Sequence, residues 1–219
     1  MSEIDLVVVD DEEAITSKAA QMFRDARPRV VALAGGETPR KTYEALARDP
    51  GEVTDAEIFL TDERCVPIDH IASNFRMINE ALASRLGAVH PVDTALTPEQ
   101  AARDYEESLK PYMPLDLAIL GIGVDGHTAS LFPGMDQDQA SGSDGRLVTR
   151  SWSPETGLWR VSLTYAALDS AKQAIFIVSG ERKRVALKRV LRGDDIPASK
   201  IRATGSLTII ADLEAASGT

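Results

Sequence analysis

A single cysteine, Cys65, occurs among 219 residues, which excludes a disulfide framework and a cysteine cluster for a metal ion. Histidine is scarce as well: His70, His90 and His127 stand in unrelated contexts with no paired-histidine motif, so no metal requirement is expected. No long uncharged apolar run occurs, and no membrane span is expected. The N-terminal stretch Met1-Ser2-Glu3-Ile4-Asp5 carries acids where a secretory leader carries bases, and the apolar run at residues 6–9 is too short for one. A cytoplasmic location is therefore expected. Basic charge is in deficit, with 24 Lys and Arg against 34 Asp and Glu, a net charge of -10. Binding to nucleic acid, which depends on neutralising phosphates, is not expected. An anionic ligand would need a local cluster of cations, which salt makes feasible by screening the global field beyond roughly 8 Å.

What is present is the composition of an ordinary globular protein, 43% hydrophobic and 26% charged, long enough for one sizeable core. A single domain spanning residues 1–219 is expected, as a monomer or small homo-oligomer. Short apolar runs alternate with helical patterns, the signature of an α/β fold with a mainly parallel sheet covered on both faces. The candidate strands are residues 4–9, 30–34, 57–61, 116–120, 161–163, 174–178 and 207–211. Helical apolar stripes occur at Ile15, Ala19, Met22 and Phe23, at Phe75, Ile78, Leu82 and Leu86, and at Val185, Ala186, Val190 and Leu191. The acids at residues 10–13 suit the start of a helix, where they complement its dipole. Residues 134–144, rich in Gly, Ser, Asp and Gln, read as a mobile surface loop.

The most informative stretch is Leu117-Ala118-Ile119-Leu120-Gly121-Ile122-Gly123-Val124-Asp125-Gly126-His127-Thr128-Ala129-Ser130-Leu131-Phe132-Pro133. It runs a strand into a glycine-rich turn that ends on a histidine. In open α/β sheets such turns are where ligands bind, and histidine is the usual general base near neutral pH. The spacing Gly121-x-Gly123-x-x-Gly126 also fits a dinucleotide fingerprint. That motif needs an acidic residue about 20 positions on, after a strand, and no strand is expected there. A nucleotide cofactor is not expected.

Three more turns end strands in the same way. Ala34-Gly35-Gly36-Glu37-Thr38-Pro39 has the layout of an anion cradle at a helix N-terminus, with Thr38 as the expected cap and Gly35 and Gly36 exposing backbone N–H groups. Glu37 counts against phosphate there unless its side chain points away. Thr61-Asp62-Glu63-Arg64-Cys65-Val66-Pro67, with Ser73-Asn74 capping the next helix, offers Arg64 as a phosphate fork and Asp62 as an acceptor for sugar hydroxyls. Arg160-Val161-Ser162-Leu163-Thr164 and Val178-Ser179-Gly180-Glu181-Arg182-Lys183 add Arg160 and Lys183 as candidates, Lys183 falling in a first helical turn where an anion would offset its charge. No serine stands at nucleophile-elbow spacing, so a serine hydrolase triad has no support.

Taken together, these stretches resemble the glucosamine-6-phosphate isomerase/6-phosphogluconolactonase family, on its 6-phosphogluconolactonase side, and do so in the family's order along nearly the whole chain. The resemblance implies a three-layer α/β fold shared with glucosamine-6-phosphate deaminase and ribose-5-phosphate isomerase, no metal or organic cofactor, and hydrolysis of 6-phosphoglucono-δ-lactone. It further implies that His127 is the general base and that Asp125 helps set its turn. By the same resemblance Arg64 and Lys183 hold the 6-phosphate, Gly36 and Thr38 line its cradle, Asp62 lies close to the sugar, and Arg160 is a further group for the anionic end. Two departures are Glu37, where the family has a small residue, and a short acidic segment after Phe132. Alternatives on the same fold are a sugar-phosphate deaminase or isomerase, whose corresponding stretch carries an Asn-Glu pair where this chain has Leu131-Phe132, and a non-catalytic sugar-phosphate sensor.

Overall fold

The structure is a computed structural model and describes residues 4–219; Met1 to Glu3 of the N-terminal stretch lie outside the described residues. In chain order the elements are β1 (Ile4–Val9), α1 (Glu12–Ala26), β2 (Val30–Leu33), α2 (Glu37–Arg48), β3 (Ala56–Leu60), β4 (Asp62–Arg64), α3 (Asn74–Leu82), β5 (Gly87–Val89), α4 (Pro98–Leu109), β6 (Leu117–Gly121), α5 (Gln137–Ser141), β7 (Val148–Ser153), β8 (Leu158–Leu163), α6 (Tyr165–Asp169), β9 (Gln173–Val178), α7 (Arg184–Arg192), β10 (Ser206–Asp212) and α8 (Leu213–Ala216).

Seven strands form one sheet in the order β1-β10-β9-β6-β2-β3-β5, every neighbouring pair parallel. Consecutive residues in the central strands, among them Ala118, Ile119 and Leu120 in β6 and Ile175 and Phe176 in β9, are fully buried. Both faces are therefore covered, as parallel sheets require. Helices α1, α2 and α3 pack side by side. Six of the seven expected strands are β1, β2, β3, β6, β9 and β10, displaced by at most one residue at either end.

The seventh expectation is corrected. Residues 161–163 belong to β8, which lies in a separate antiparallel sheet of order β4-β8-β7. The chain passes between the two sheets at the buried Thr61, whose N–H donates to Leu33 O at 3.0 Å in the large sheet and whose carbonyl accepts from Leu163 N–H at 2.9 Å in the small one. Further corrections are local. Leu86 lies beyond α3, which ends at Leu82 with Ala83 left-handed. Val185 is 67% exposed, because α7 buries Ala186, Leu187 and Val190. Residues 134–144 hold the short helix α5, whose cap Asp136 accepts from the amides of Asp138 and Gln139 and whose Ala140 is buried. The acids before α1 behave as expected, with Asp11 accepting the Ala14 N–H at 2.8 Å.

From β2 the chain continues to β3 on one side, while β6 lies on the other side of β2. That is a topological switch point, and the crevice outside the carboxyl ends of β2 and β6 is where such sheets bind ligands. The sheet that holds this crevice open depends on its central apolar residues. Phe176→Ala, at a fully buried position of β9, is expected to lower the unfolding free energy by about 3–5 kcal/mol, measured from the shift of a urea-unfolding midpoint.

Candidate active site

The first wall of the crevice follows β2. Gly36 has φ 117° and caps α2 with no side-chain hydrogen bond, which corrects the expectation that Thr38 is the cap. Thr38 instead lies within the first turn and donates its hydroxyl to Glu12 Oε1 at 2.9 Å. Glu12 also pairs with Lys41, whose hydrogen bond holds its carboxyl below the usual range against the opposing effect of burial. A Cβ on Gly35 would sit 1.9 Å from Asn74 Oδ1, so only glycine admits Asn74 there. The amides of Gly35 and Gly36 donate to no protein acceptor among the described residues. Glu37 is largely exposed, stands 4.0 Å from Arg40, and itself lines the cleft beside Gly36 and Thr38.

The second wall is the histidine turn after β6. Gly123 N–H donates to His127 O at 2.8 Å, and Gly126 N–H donates to Gly123 O at 3.0 Å. Asp125 Oδ1 accepts both the His127 amide, at 3.0 Å, and the ring nitrogen Nδ1, at 2.6 Å. Burial raises the Asp125 pKa, but the His127 amide, the imidazole charge and the ring hydrogen bond together pull it below the ordinary value. With Nδ1–H donated to the carboxylate, the ring keeps Nε2 as its acceptor. The imidazole, 25% exposed, packs beside Phe132 with ring centroids 5.0 Å apart. A Cβ on Gly123 would lie 2.1 Å from Nδ1, so the glycine makes room for the ring.

The third wall comes from the small sheet. Arg64 and Arg160 are register partners across β4 and β8, so two guanidinium groups stand side by side. Arg160 Nη1 reaches Asp62 Oδ2 at 3.4 Å, and the two side chains are 9% and 7% exposed. Asp62 also accepts from Ser130 Oγ at 2.5 Å, Asn74 Nδ2 at 3.3 Å and Thr61 Oγ1 at 3.4 Å. These protein donors engage both of its oxygens, while Asp62 also lines the cleft. In this arrangement it ties the histidine turn, through Ser130, to the small sheet. Arg64 donates from Nη1 to Ala72 O at 2.7 Å, while its Nε and that of Arg160 are buried without acceptors among the described residues. Burial lowers the Arg160 pKa, Asp62 opposes the fall, and the neighbouring Arg64 adds to it.

Glu63, between these residues, faces the other way. It accepts from Ser73 Oγ at 2.9 Å and from the amides of Asn74 and Phe75, each at 2.7 Å. Burial pushes its pKa up, and those hydrogen bonds only partly counter it. Its work is to hold the first turn of α3, and with it Asn74.

The last wall follows β9. Gly180, at φ 89°, opens a 3-10 turn over Glu181–Lys183 before α7 begins at Arg184, so Lys183 precedes the α-helix. Lys183 forms no ion pair among the described residues. Burial and the adjacent Arg182 lower its pKa, against weaker pulls from Asp125 and Glu155.

Gly35, Gly36, Thr38, Asp62, Arg64, His127, Arg160 and Lys183 all line one cleft of about 750 Å³. Asp125 does not line it and stands behind the imidazole. Sequence reasoning assigns no site role to several wall residues, among them Asn74, Arg182, Glu155 and Glu214. Asn74 reads there only as part of a helix cap, and Arg182 only as a neighbour of Lys183. Glu155, in the turn between β7 and β8, carries no sequence signal. Among the described residues no cluster of three His, Cys, Asp or Glu side chains is placed to hold a metal ion, and no helix is long and apolar enough to cross a membrane.

With this fold and cleft, the chain belongs to the family described as Glucosamine-6-phosphate isomerases/6-phosphogluconolactonase, whose pattern matches residues 5–210. Within that family its similarity runs to 6-phosphogluconolactonases. That of Thermotoga maritima is 38% identical over 205 residues, covering 91% of this chain and 89% of the relative. The human 6-phosphogluconolactonase is 33% identical, over 93% of this chain and 86% of the relative. The crystal structure of the Thermotoga maritima enzyme superposes with a TM-score of 0.82 at 34% identity, covering 96% of this chain and all of the other. A monomeric glucosamine-6-phosphate deaminase shares the fold, with a TM-score of 0.81 at 21% identity over 97% of this chain and 99% of that one.

The crowding of Gly123 against the ring generates a direct test. The short Nδ1–H to Asp125 hydrogen bond is expected to give a strongly downfield proton resonance, and Gly123→Ala is expected to abolish it while backbone amide resonances of the central sheet stay in place.

Proposed function

We propose that this chain hydrolyses 6-phosphoglucono-δ-lactone to 6-phosphogluconate, the lactonase step of the oxidative pentose phosphate pathway, with His127 as general base. The observation that carries the reading is the pairing of His127 Nδ1 with Asp125 at 2.6 Å, in a cleft whose other walls bring Arg64, Arg160 and Lys183. One side supplies a base with its accepting nitrogen defined, and the other supplies cations for a phosphorylated sugar.

In this account Nε2 takes a proton from water as the water oxygen bonds to the lactone carbonyl carbon. Asp125 stabilises the imidazolium that forms. The tetrahedral intermediate then breaks the bond from that carbon to the ring oxygen, and the imidazolium returns its proton to that oxygen. The product acid loses a proton to solvent, which balances the step without a metal or cofactor. A positioned base contributes roughly 10²- to 10⁴-fold, and orientation in the cleft supplies a further share.

The developing oxyanion needs donors, and the histidine turn supplies fewer than its glycines suggest. Gly123 and Gly126 direct their amides into the turn itself. Donors from the small sheet, the guanidinium groups of Arg64 and Arg160 that line the cleft, are better matched to negative charge. The phosphate falls to Lys183 with the free amides of Gly35 and Gly36 at the start of α2. Leu131, fully buried, and Phe132, packed on the imidazole, occupy the positions where a deaminase would carry its amide and acid, which supports the lactonase over the amine chemistry.

Rates measured on freshly generated phosphorylated lactone test the assignment. His127→Ala is expected to reduce kcat by about 10²- to 10⁴-fold, and Asp125→Asn by a smaller factor. Lys183→Ala is expected mainly to raise KM. A His127→Ala rate within about twofold of the parent contradicts the base assignment, since a working base contributes at least about 100-fold.

A further inference from the structure

One buried carboxylate belongs to none of these roles. Asp212, the last residue of β10, is 4% exposed and does not line the cleft. Its Oδ2 accepts from Ser179 Oγ at 2.6 Å and from Gly180 N at 2.9 Å, and its Oδ1 accepts from Gly180 N at 3.2 Å and Ala215 N at 2.7 Å. One side chain thus fastens the turn that leaves β9 and the first turn of α8. Gly180 is left-handed, at φ 89°, and a Cβ there would meet nothing within 4 Å. The glycine is needed for its backbone angle alone, and a left-handed residue in open space stays put only where something holds it.

This turn leads directly into Lys183. The Lys183 N–H donates to Gly180 O at 3.0 Å, closing the 3-10 turn, so the place of the Lys183 backbone is set by the place of Gly180. No ion pair joins Asp212 to Lys183 among the described residues, and the charges that act on Lys183 are those of Arg182, Asp125 and Glu155. Asp212 therefore reaches the lysine through the backbone and not through its field.

We infer that Asp212 is a positioning residue for anion recognition: by anchoring Ser179 and Gly180 it fixes where Lys183 meets the phosphate end of the ligand. The inference rests on the reading of Lys183 as a phosphate-binding group. It leaves the chemistry at His127 on a separate turn, so the two ends of the ligand are controlled by different carboxylates, Asp125 behind the base and Asp212 behind the cation.

Calorimetric titration of the full chain with 6-phosphogluconate, beside steady-state rates on phosphorylated and plain δ-lactone, tests it. Asp212→Asn is expected to weaken 6-phosphogluconate binding by about tenfold, the scale of hydrogen bonds to a charged group. On the phosphorylated lactone kcat is expected to stay within about twofold, and on the plain lactone kcat/KM likewise. In a Lys183→Ala background the same substitution is expected to add less than about twofold, because the two residues act through one contact. Should Asp212→Asn fail to fold, Ser179→Ala removes the 2.6 Å hydrogen bond alone and is expected to weaken binding about threefold, again only when Lys183 is present. Independent, multiplying effects of the two substitutions overturn the inference, as does an equal loss on both lactones or an unaltered protein that does not bind 6-phosphogluconate. Absent lactone turnover with the binding pattern intact would instead remove the proposed reaction and leave the inference standing.

Discussion

A parallel sheet forces each strand to return by a crossover to the same end, so every turn that leaves a strand at its carboxyl end emerges along one edge. In this chain that constraint gathers the Gly35-Gly36 turn, the Asp125-His127 turn and the Gly180-Lys183 turn, which lie far apart in sequence, onto one crevice. The small antiparallel sheet adds the fourth component. Because β4 follows β3 after only Thr61, the strand that leaves the large sheet delivers Asp62 and Arg64 directly over the crevice, opposite Arg160 from β8.

Within that frame, local charge decides what the cleft can hold. The chain as a whole carries a net charge of -10, yet the cleft holds Arg64, Arg160 and Lys183, and among the described residues only Asp62 forms an ion pair with any of them. The same cleft is also lined by Arg182 and by the carboxylates of Glu37, Glu155, Glu181 and Glu214, so its cations are not in excess, and burial is the largest influence lowering the pKa values of Arg160 and Lys183. Three buried carboxylates near the site are turned to structural work: Asp62 on Ser130 and Arg160, Glu63 on the start of α3, Asp212 on the Gly180 turn. Asp125 differs, since its hydrogen bond reaches the imidazole itself. A buried polar network of this kind is favourable only when its members are satisfied, and the Nε atoms of Arg64 and Arg160 are its two buried guanidinium atoms without an acceptor among the described residues.

Much of this is legible in the sequence because the parallel strands are buried on both faces and read as continuous apolar runs, and because glycines mark the turns that leave β2, β6 and β9. The small sheet is not. β4 is Asp-Glu-Arg with no apolar pattern, and β7 is Val-Thr-Arg-Ser-Trp-Ser with polar residues throughout, so their pairing is a product of tertiary contact and not of local preference; the three-residue β5, at the edge of the large sheet, is as hard to read. Residues 161–163 read as a strand, but for the same reason nothing local shows which sheet they join. Thr38 fails as a cap because Gly36, with its positive φ, starts the helix earlier. The site residues themselves are named by motif resemblance. What composition and spacing have no means to show is which groups are already taken by protein partners, and the structure reveals that of Asp62, Thr38 and the amides of Gly123 and Gly126.

The central claim is that this cleft opens a phosphorylated sugar lactone by base catalysis. Its most direct measurement is the initial rate of consumption of freshly generated 6-phosphoglucono-δ-lactone by the intact protein, against a protein-free blank and with a chelator present. The account predicts a large acceleration that the chelator leaves unchanged; a rate equal to the blank would contradict it.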